Sequence, residues 1–258
     1  MLLDGKVAVV VGTGPGLGKA IAVGAAKEGA DVVVAARSAE WLDTLTSDVR
    51  ELGRKSLAVR MDVSSPDDCA RLAREATSQF GGIDVLVHNA YFDGPAARFE
   101  DADLGLWRRA VEVNAFGGLQ LVRACLESLK DRKGSIVLVN SRQIRSLGHP
   151  RGGYAMSKAA LFIAGQVLAK ELGAYGVRVN TVVPGWMWGP AVEGYFEAQS
   201  ANGGGSVQEQ YDEVVRDFAL RRMPTPADVA DAVLFLASSR AGAITGQSLD
   251  VNAGESFN

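Results

Sequence analysis

The sequence predicts an α/β fold: a doubly wound parallel sheet of about seven strands with helices on both faces. Three observations carry the prediction. Short β-branched runs recur along the chain, they are apolar without alternation, and helical patterns separate them almost throughout. A strand covered on both faces needs continuous apolar character, whereas a strand with one wet face would alternate.

In chain order the strands are KVAVVV (6–11), DVVVAA (31–36), SLAVRM (56–61), DVLVH (84–88), SIVLVN (135–140), VRVNTVV (177–183) and QSLDV (247–251). Helical patterns occupy 16–29, 39–52, 67–80, 103–130, 153–175 and 226–238. A chain of 258 residues with 47% hydrophobic content has room for one large α/β domain or two small ones. The linker-like stretch NGGGS (202–206) lies inside an insertion before the last helix, so residues 1–258 read as one domain without short repeats.

Composition removes several function classes. A net charge of −3 with scattered basic residues argues against a nucleic-acid surface. Cys69 and Cys125 lack metal-ligand spacing and any sign of a secreted disulfide scaffold, and they read as reduced core thiols with no metal site. Asp4 and Lys6 interrupt the apolar start, and no apolar run reaches the length of a membrane span. The expectation is a soluble cytoplasmic protein with no nucleic-acid or membrane partner.

The first strand runs into VGTGPGLGKA, which places Gly12, Gly14, Gly16 and Gly18 at a strand-to-helix turn. Glycines let a backbone approach a pyrophosphate, and the following helix offers it unpaired N–H groups and a partial positive charge. In this context the turn predicts a dinucleotide site of Rossmann type. The second strand ends in Ala35, Ala36, Arg37 and Ser38, where an acid often meets the adenosine ribose. With no carboxylate to repel it, a 2′-phosphate fits between the Arg37 guanidinium and the Ser38 hydroxyl, favouring NADP over NAD; a solvated arginine is the alternative. Asp62 and Val63 end the third strand, where an adenine could rest, although Asp62 is equally suited to capping the helix after Pro66.

In HPRGGYAMSKAALF, Tyr154 stands four residues before Lys158. On a helix the two share a face. A lysine cation about 4.5 Å away would favour the phenolate by ~3 to 4 kcal/mol at an effective dielectric of ~20, roughly two to three pKa units. Alone, the spacing reads as chance.

Taken together, these features resemble the short-chain dehydrogenase/reductase family, from Gly5 to the C-terminus. The family's glycine turn corresponds to Val11, Gly12, Gly16, Leu17 and Gly18; its catalytic Ser, Tyr and Lys to Ser141, Tyr154 and Lys158; its fourth member to Asn114; and its PG to Pro184 and Gly185. The resemblance implies that Tyr154 exchanges a proton with a carbonyl or alcohol oxygen while hydride moves at the nicotinamide, and that Ser141 holds the same oxygen. It further implies that Lys158 lowers the phenol pKa and binds the nicotinamide ribose, and that Asn114 orients a proton-feeding water. The expected cofactor contacts are Gly12, Thr13, Gly16, Leu17, Gly18, Arg37, Ser38, Asp62, Val63, Asn89, Ala90, Tyr154, Lys158, Pro184, Gly185 and Met187, with NADP(H) favoured and NAD(H) the other option.

Departures from the family's pattern bear on the substrate. The family's NNAG is His88, Asn89, Ala90 and Tyr91 here. Either the backbone at Tyr91 avoids positive φ, or the phenol reaches into the substrate cleft. A threonine that often follows PG is Gly189, which leaves the Met187 backbone to hold the carboxamide. The loop after the fifth strand carries Arg142, Arg145, His149 and Arg151, as an anionic substrate would require or as solvated arginines on a surface; a catalytic role for His149 is not expected. Residues 186–222 hold Trp186, Trp188, Tyr195, Phe196, Tyr211 and Phe218 and correspond to the family's substrate-covering segment, an apolar lid for a hydrophobic alcohol or ketone. Tyr91, Arg142, Trp186 and Trp188 are the expected substrate contacts. Apolar residues on more than one face of the helix from Tyr154 to Ala174, together with the family's habit, predict a homo-oligomer, a tetramer or a dimer.

The function expected is an NAD(P)-dependent oxidoreductase interconverting a hydrophobic secondary alcohol and its ketone. A 3-oxoacyl thioester reductase is the alternative within the same chemistry. A non-catalytic cofactor-sensing binding protein is the alternative from another class.

Overall fold

The computed structural model describes residues 1–147 and 150–257. Seven parallel strands form one sheet in the order β3-β2-β1-β4-β5-β6-β7: β1 (Val7–Val11), β2 (Asp31–Ala36), β3 (Ser56–Arg60), β4 (Val85–His88), β5 (Ser135–Val139), β6 (Arg178–Pro184) and β7 (Ser248–Val251). The predicted strands agree with these to within one or two residues at each end. Strand β1 pairs with β2 on one side and β4 on the other, so the chain reverses its direction of winding at β1 and opens a crevice at the strands' carboxyl ends.

The unbroken apolar runs follow from burial on both faces. Along β1, Ala8 and Val10 point into one layer with Ile21 of α1 (Leu17–Lys27), Leu45 of α2 (Ala39–Glu51) and Val233 of α9 (Pro226–Ala237). Val9 and Val11 point the other way, towards Leu72 of α3 (Pro66–Phe80), Leu121 of α5 (Gly117–Arg132) and Leu161 of α6 (Gly152–Leu172). The helix between β3 and β4 shows how locally its ends are written. Ser65 accepts the Asp68 N–H at 3.2 Å, Pro66 opens the first turn, and Gly81 closes the helix at φ 75°.

Two features differ from the sequence reading. The single helix expected over 103–130 is α4 (Leu104–Val111), a five-residue π turn (Glu112–Phe116), and then α5. The insertion before the last helix holds two helices of its own, α7 (Pro190–Ala201) and α8 (Val207–Val215), with the glycine run forming the turn between them. Ser206 and Glu209 form a reciprocal capping box at the start of α8. Phe196, Val215, Phe218 and Met223 make a small core for this segment, and Trp186, Trp188 and Tyr211 pack against it. Among the described residues, no helix is long and apolar enough to cross a membrane.

Candidate active site

The glycine turn after β1 is built by main chain. Gly12 has φ 92°, and a Cβ there would fall inside the Ala90 backbone, so a side chain is excluded twice over. Asn89 fixes the crossing: its N–H donates to Val11 O at 2.8 Å and its side-chain amide to Gly12 O at 2.7 Å. Gly18 lies against Gly12 O and Thr13 Cα with no room for a side chain. By contrast, a Cβ on Gly14 or Gly16 would meet nothing within 4 Å. Gly16 opens α1 without a side-chain cap, so the first helical N–H groups face that space. This is a cradle of the shape and polarity that a pyrophosphate needs. Thr13, expected to line the cofactor, is buried and donates its hydroxyl to Ala35 O at 3.2 Å; its side chain shapes the turn instead of facing the cradle.

On the adenosine side, Arg37 and Ser38 are exposed at the end of β2. Ser38 precedes the first residue of α2 without using its hydroxyl as a cap. Arg60, which the sequence reading passed over, donates from Nε to Arg37 O at 3.2 Å and brings a second guanidinium to this edge. Asp62 is already engaged. It accepts Ser64 Oγ at 2.6 Å and the Ser64 N–H at 2.9 Å, and it pairs with Arg109 at 3.2 Å, so its carboxyl titrates below the usual carboxylate range, chiefly through Ser64. The helix cap considered for Asp62 is supplied by Ser65. Val63 is buried against Gly117 at the start of α5.

Ser141, Tyr154, Lys158 and Asn114 converge where β4 and β5 end. The Ser141 hydroxyl lies close enough to the Tyr154 phenol to lower its pKa. Lys158 is 2% exposed, and its Nζ donates to Val139 O at 2.8 Å, lying 5.8 Å from the Tyr154 ring centre. The electrostatics correct the expectation that Lys158 depresses the phenol pKa. Burial disfavours both charged forms: it raises the Tyr154 phenol, which the Ser141 hydroxyl offsets only in part, and it brings Lys158 down to about 7. The arrangement therefore holds Tyr154 as a phenol, a proton donor.

Asn114 sits in the π turn and is fully buried. Its side chain clamps the main chain of Phe92, accepting the N–H at 2.7 Å and donating to the carbonyl at 2.8 Å, and it also donates to Ser157 Oγ at 2.7 Å. Its carbonyl oxygen receives His88 Nε2 at 3.1 Å. Burial, then the Lys158 charge, brings the His88 imidazole down to about 4. His88 is thus neutral, with its proton on Nε2. Gly118 makes room for the ring, since a Cβ there would meet His88 Cδ2 at 2.8 Å.

At Tyr91 the first of the two options holds. Its φ is not positive, and its ring, 54% exposed, meets Tyr154 edge-on with centres 6.5 Å apart. Trp186 and Trp188 lie where β6 passes into the segment over 186–222, each stacked obliquely on Phe196 at 5.8 and 6.0 Å. Pro184 ends β6, and the amides of Trp186 and Trp188 are taken by Glu255 and by Pro224 O, which leaves the Met187 N–H between them.

The cationic loop is not a surface of free arginines. Arg142 pairs with Glu255 at 2.8 Å, Arg145 with Asp250 at 3.5 Å, and Arg151 with Asp93 at 2.6 Å. Arg142, expected to touch substrate, is paired with an acid that lies far off in sequence. His149 lies outside the described residues.

The chain matches known proteins over nearly all its length. A family model described as Enoyl-(Acyl carrier protein) reductase matches residues 12–256. The 7alpha-hydroxysteroid dehydrogenase of Escherichia coli (strain K12) is 32% identical over 253 residues, covering 98% of this chain and 94% of that one. A 3-oxoacyl-[acyl-carrier-protein] reductase of Thermotoga maritima is 32% identical over 263 residues, with 98% and 99% covered. The structure of L-sorbose reductase from Gluconobacter frateurii, complexed with NADPH and L-sorbose, superposes with a TM-score of 0.93 at 30% identity, covering 99% and 98% of the two chains.

Proposed function

The chain belongs to the short-chain dehydrogenase/reductase family, and from that premise we propose that it reduces hydrophobic ketones to secondary alcohols with NADPH. At the coarser level it is a nicotinamide-dependent oxidoreductase that interconverts an alcohol and its ketone. One observation carries the proposal: the Tyr154 phenol, kept protonated by burial and beside the Ser141 hydroxyl, lies over the buried Lys158, whose Nζ is 5.8 Å from its ring centre.

In this reading Ser141 donates a hydrogen bond to the substrate carbonyl oxygen and Tyr154 gives it a proton. Bound NADPH supplies the hydride. Lys158, held by Val139 O at the floor of the site, exchanges a proton with the phenol from below, and neutral His88 fixes the Asn114 carbonyl beside it. Gly12, Gly16, Leu17 and Gly18 hold the pyrophosphate. Arg37 and Ser38, with Arg60 behind them, take the 2′-phosphate, and the Met187 N–H takes the carboxamide. Val63, Ala90 and Gly185 line the path between. Tyr91, Trp186 and Trp188 give the substrate its apolar walls, and the lid over 186–222 closes on it.

The acyl-thioester alternative keeps the support of the Thermotoga relative, but the loop arginines that favoured it are occupied by Glu255, Asp250 and Asp93. Exposed Met156, Ile163 and Val167 along α6 support a homo-oligomer, and the buried free thiols of Cys69 and Cys125 suit a reducing cytoplasm. The test is a panel of ketones and 3-oxoacyl thioesters with NADPH, comparing wild type with Tyr154→Phe. Turnover of apolar ketones, lowered by about 10²- to 10⁴-fold in the variant while NADPH still binds, is the expected result. Turnover of thioesters alone selects the other substrate class, and NADPH binding without turnover of any member selects a cofactor sensor.

A further inference from the structure

The last residues of the chain form a compact turn against the site. Ala253 and Gly254 both have positive φ, 54° and 77°, a conformation that alanine rarely adopts. Asn252 braces them: its side-chain oxygen accepts the Gly254 N–H at 3.0 Å, its carbonyl accepts the Glu255 N–H at 3.0 Å, and its amide donates to Ser256 O at 3.0 Å. The product of this bracing is an inward Glu255, whose side chain is 4% exposed.

Each Glu255 oxygen has its own task. Oε1 pairs with Arg142 Nε at 2.8 Å, one residue after Ser141. Oε2 accepts the Trp186 N–H at 2.9 Å, where β6 gives way to the lid. Gly185 is packed so closely on the carboxylate that a Cβ would collide with Oε2. The same turn holds the lid's other end, since Gly254 O accepts the Ala219 N–H at 3.2 Å and Ala253 O the Leu220 N–H at 3.0 Å. Arg145, further along the serine loop, is anchored on Asp250 and Ser248 of β7.

We infer that Glu255 is a positioning residue that ties the Ser141 loop to the hinge of the lid, so that the two substrate-facing segments hold one fixed geometry. The inference rests on the reading of Ser141 as catalytic. It assigns the loop's arginines to anchoring, and it makes the C-terminal turn part of the substrate half of the site. A carboxylate suits this role because it accepts from two directions in one plane, and a buried charge left without its partner forces rearrangement.

The test combines hydrogen exchange with steady-state kinetics on wild type, Glu255→Gln and Arg142→Met. Glu255→Gln keeps the shape of the side chain and removes its charge, and Arg142→Met removes the partner and leaves every residue of the tail in the sequence. The expected result is that Arg142→Met, acting through Glu255, accelerates amide exchange in the peptide containing residues 185–188 at least threefold. Both variants should lower kcat for a ketone about tenfold while the Kd for NADPH stays within twofold. A merely structural loss would move exchange throughout the fold and NADPH binding with it. Folded variants with unchanged exchange at 185–188 and kcat within twofold of wild type would overturn the inference. If wild type itself reduces no ketone, the catalytic reading fails alone, and the exchange result still decides whether the tie exists.

Discussion

The two halves of the crevice are built by different means. The cofactor half is main chain: a glycine turn pressed against Ala90, an uncapped helix start, and a cradle around Gly14 and Gly16 with no side chain in it. The half around Ser141 and Trp186, proposed to face the substrate, is held by side chains reaching over long distances, Glu255 to Arg142 and Trp186, Arg145 to β7, and Asn114 to Phe92. Backbone geometry tolerates almost no change of residue at its tight points. Side-chain ties allow exchange of partners, which is where one fold can acquire different substrates.

The contrast breaks first, if it is wrong, at Gly12. Gly12→Ala places a Cβ in the Ala90 backbone at φ 92°, and neither neighbour is a flexible side chain. The expected cost is about 2 kcal/mol of stability or more, read as a fall in the urea midpoint, together with loss of NADPH binding. A variant that melts and binds like wild type would show that the turn is not the rigid half.

Lys158→Met sharpens the same contrast from the substrate side through pH. In the free protein burial holds the Lys158 pKa at about 7, against the ordinary lysine value of 10.5. Between those values the unfolded chain binds more protons than the folded one, so this residue makes stability rise with pH across the window. Below pH 7 both states are protonated and the buried cation is fully destabilising. The variant should therefore be more stable than wild type near pH 7, by on the order of 4 kcal/mol, and the gain should shrink towards pH 10. Thermal melts across that range check it, and a gain that grows with pH would reverse the assignment. Turnover should be lost at every pH.

What the sequence made legible follows the same division. Strand limits, the glycine turn and the Ser141, Tyr154 and Lys158 set are local patterns, and each lies where its pattern predicts. The π turn escaped because VEVNAFGG keeps its apolar spacing through the distortion, while its cause, Asn114 clamping Phe92, needs the β4 loop in place. Arg142 resembled a free anion site because Glu255 is at the other end of the chain. Arg60 was overlooked at the end of a strand pattern, although a second cation one strand away from Arg37 is the kind of signal that strand order would have exposed. The four-residue spacing of Tyr154 and Lys158 carries their Coulomb attraction but not the burial that outweighs it for both groups.

The central claim, NADPH-driven ketone reduction at this site, is tested most directly by kcat/KM for one apolar ketone with NADPH and with NADH, in wild type and Arg37→Ala. The account predicts a preference for NADPH of at least about tenfold, one charge-assisted contact or more, which Arg37→Ala largely removes without changing the NADH rate. Equal use of both cofactors with no response to Arg37→Ala, or no reduction with either, would contradict it.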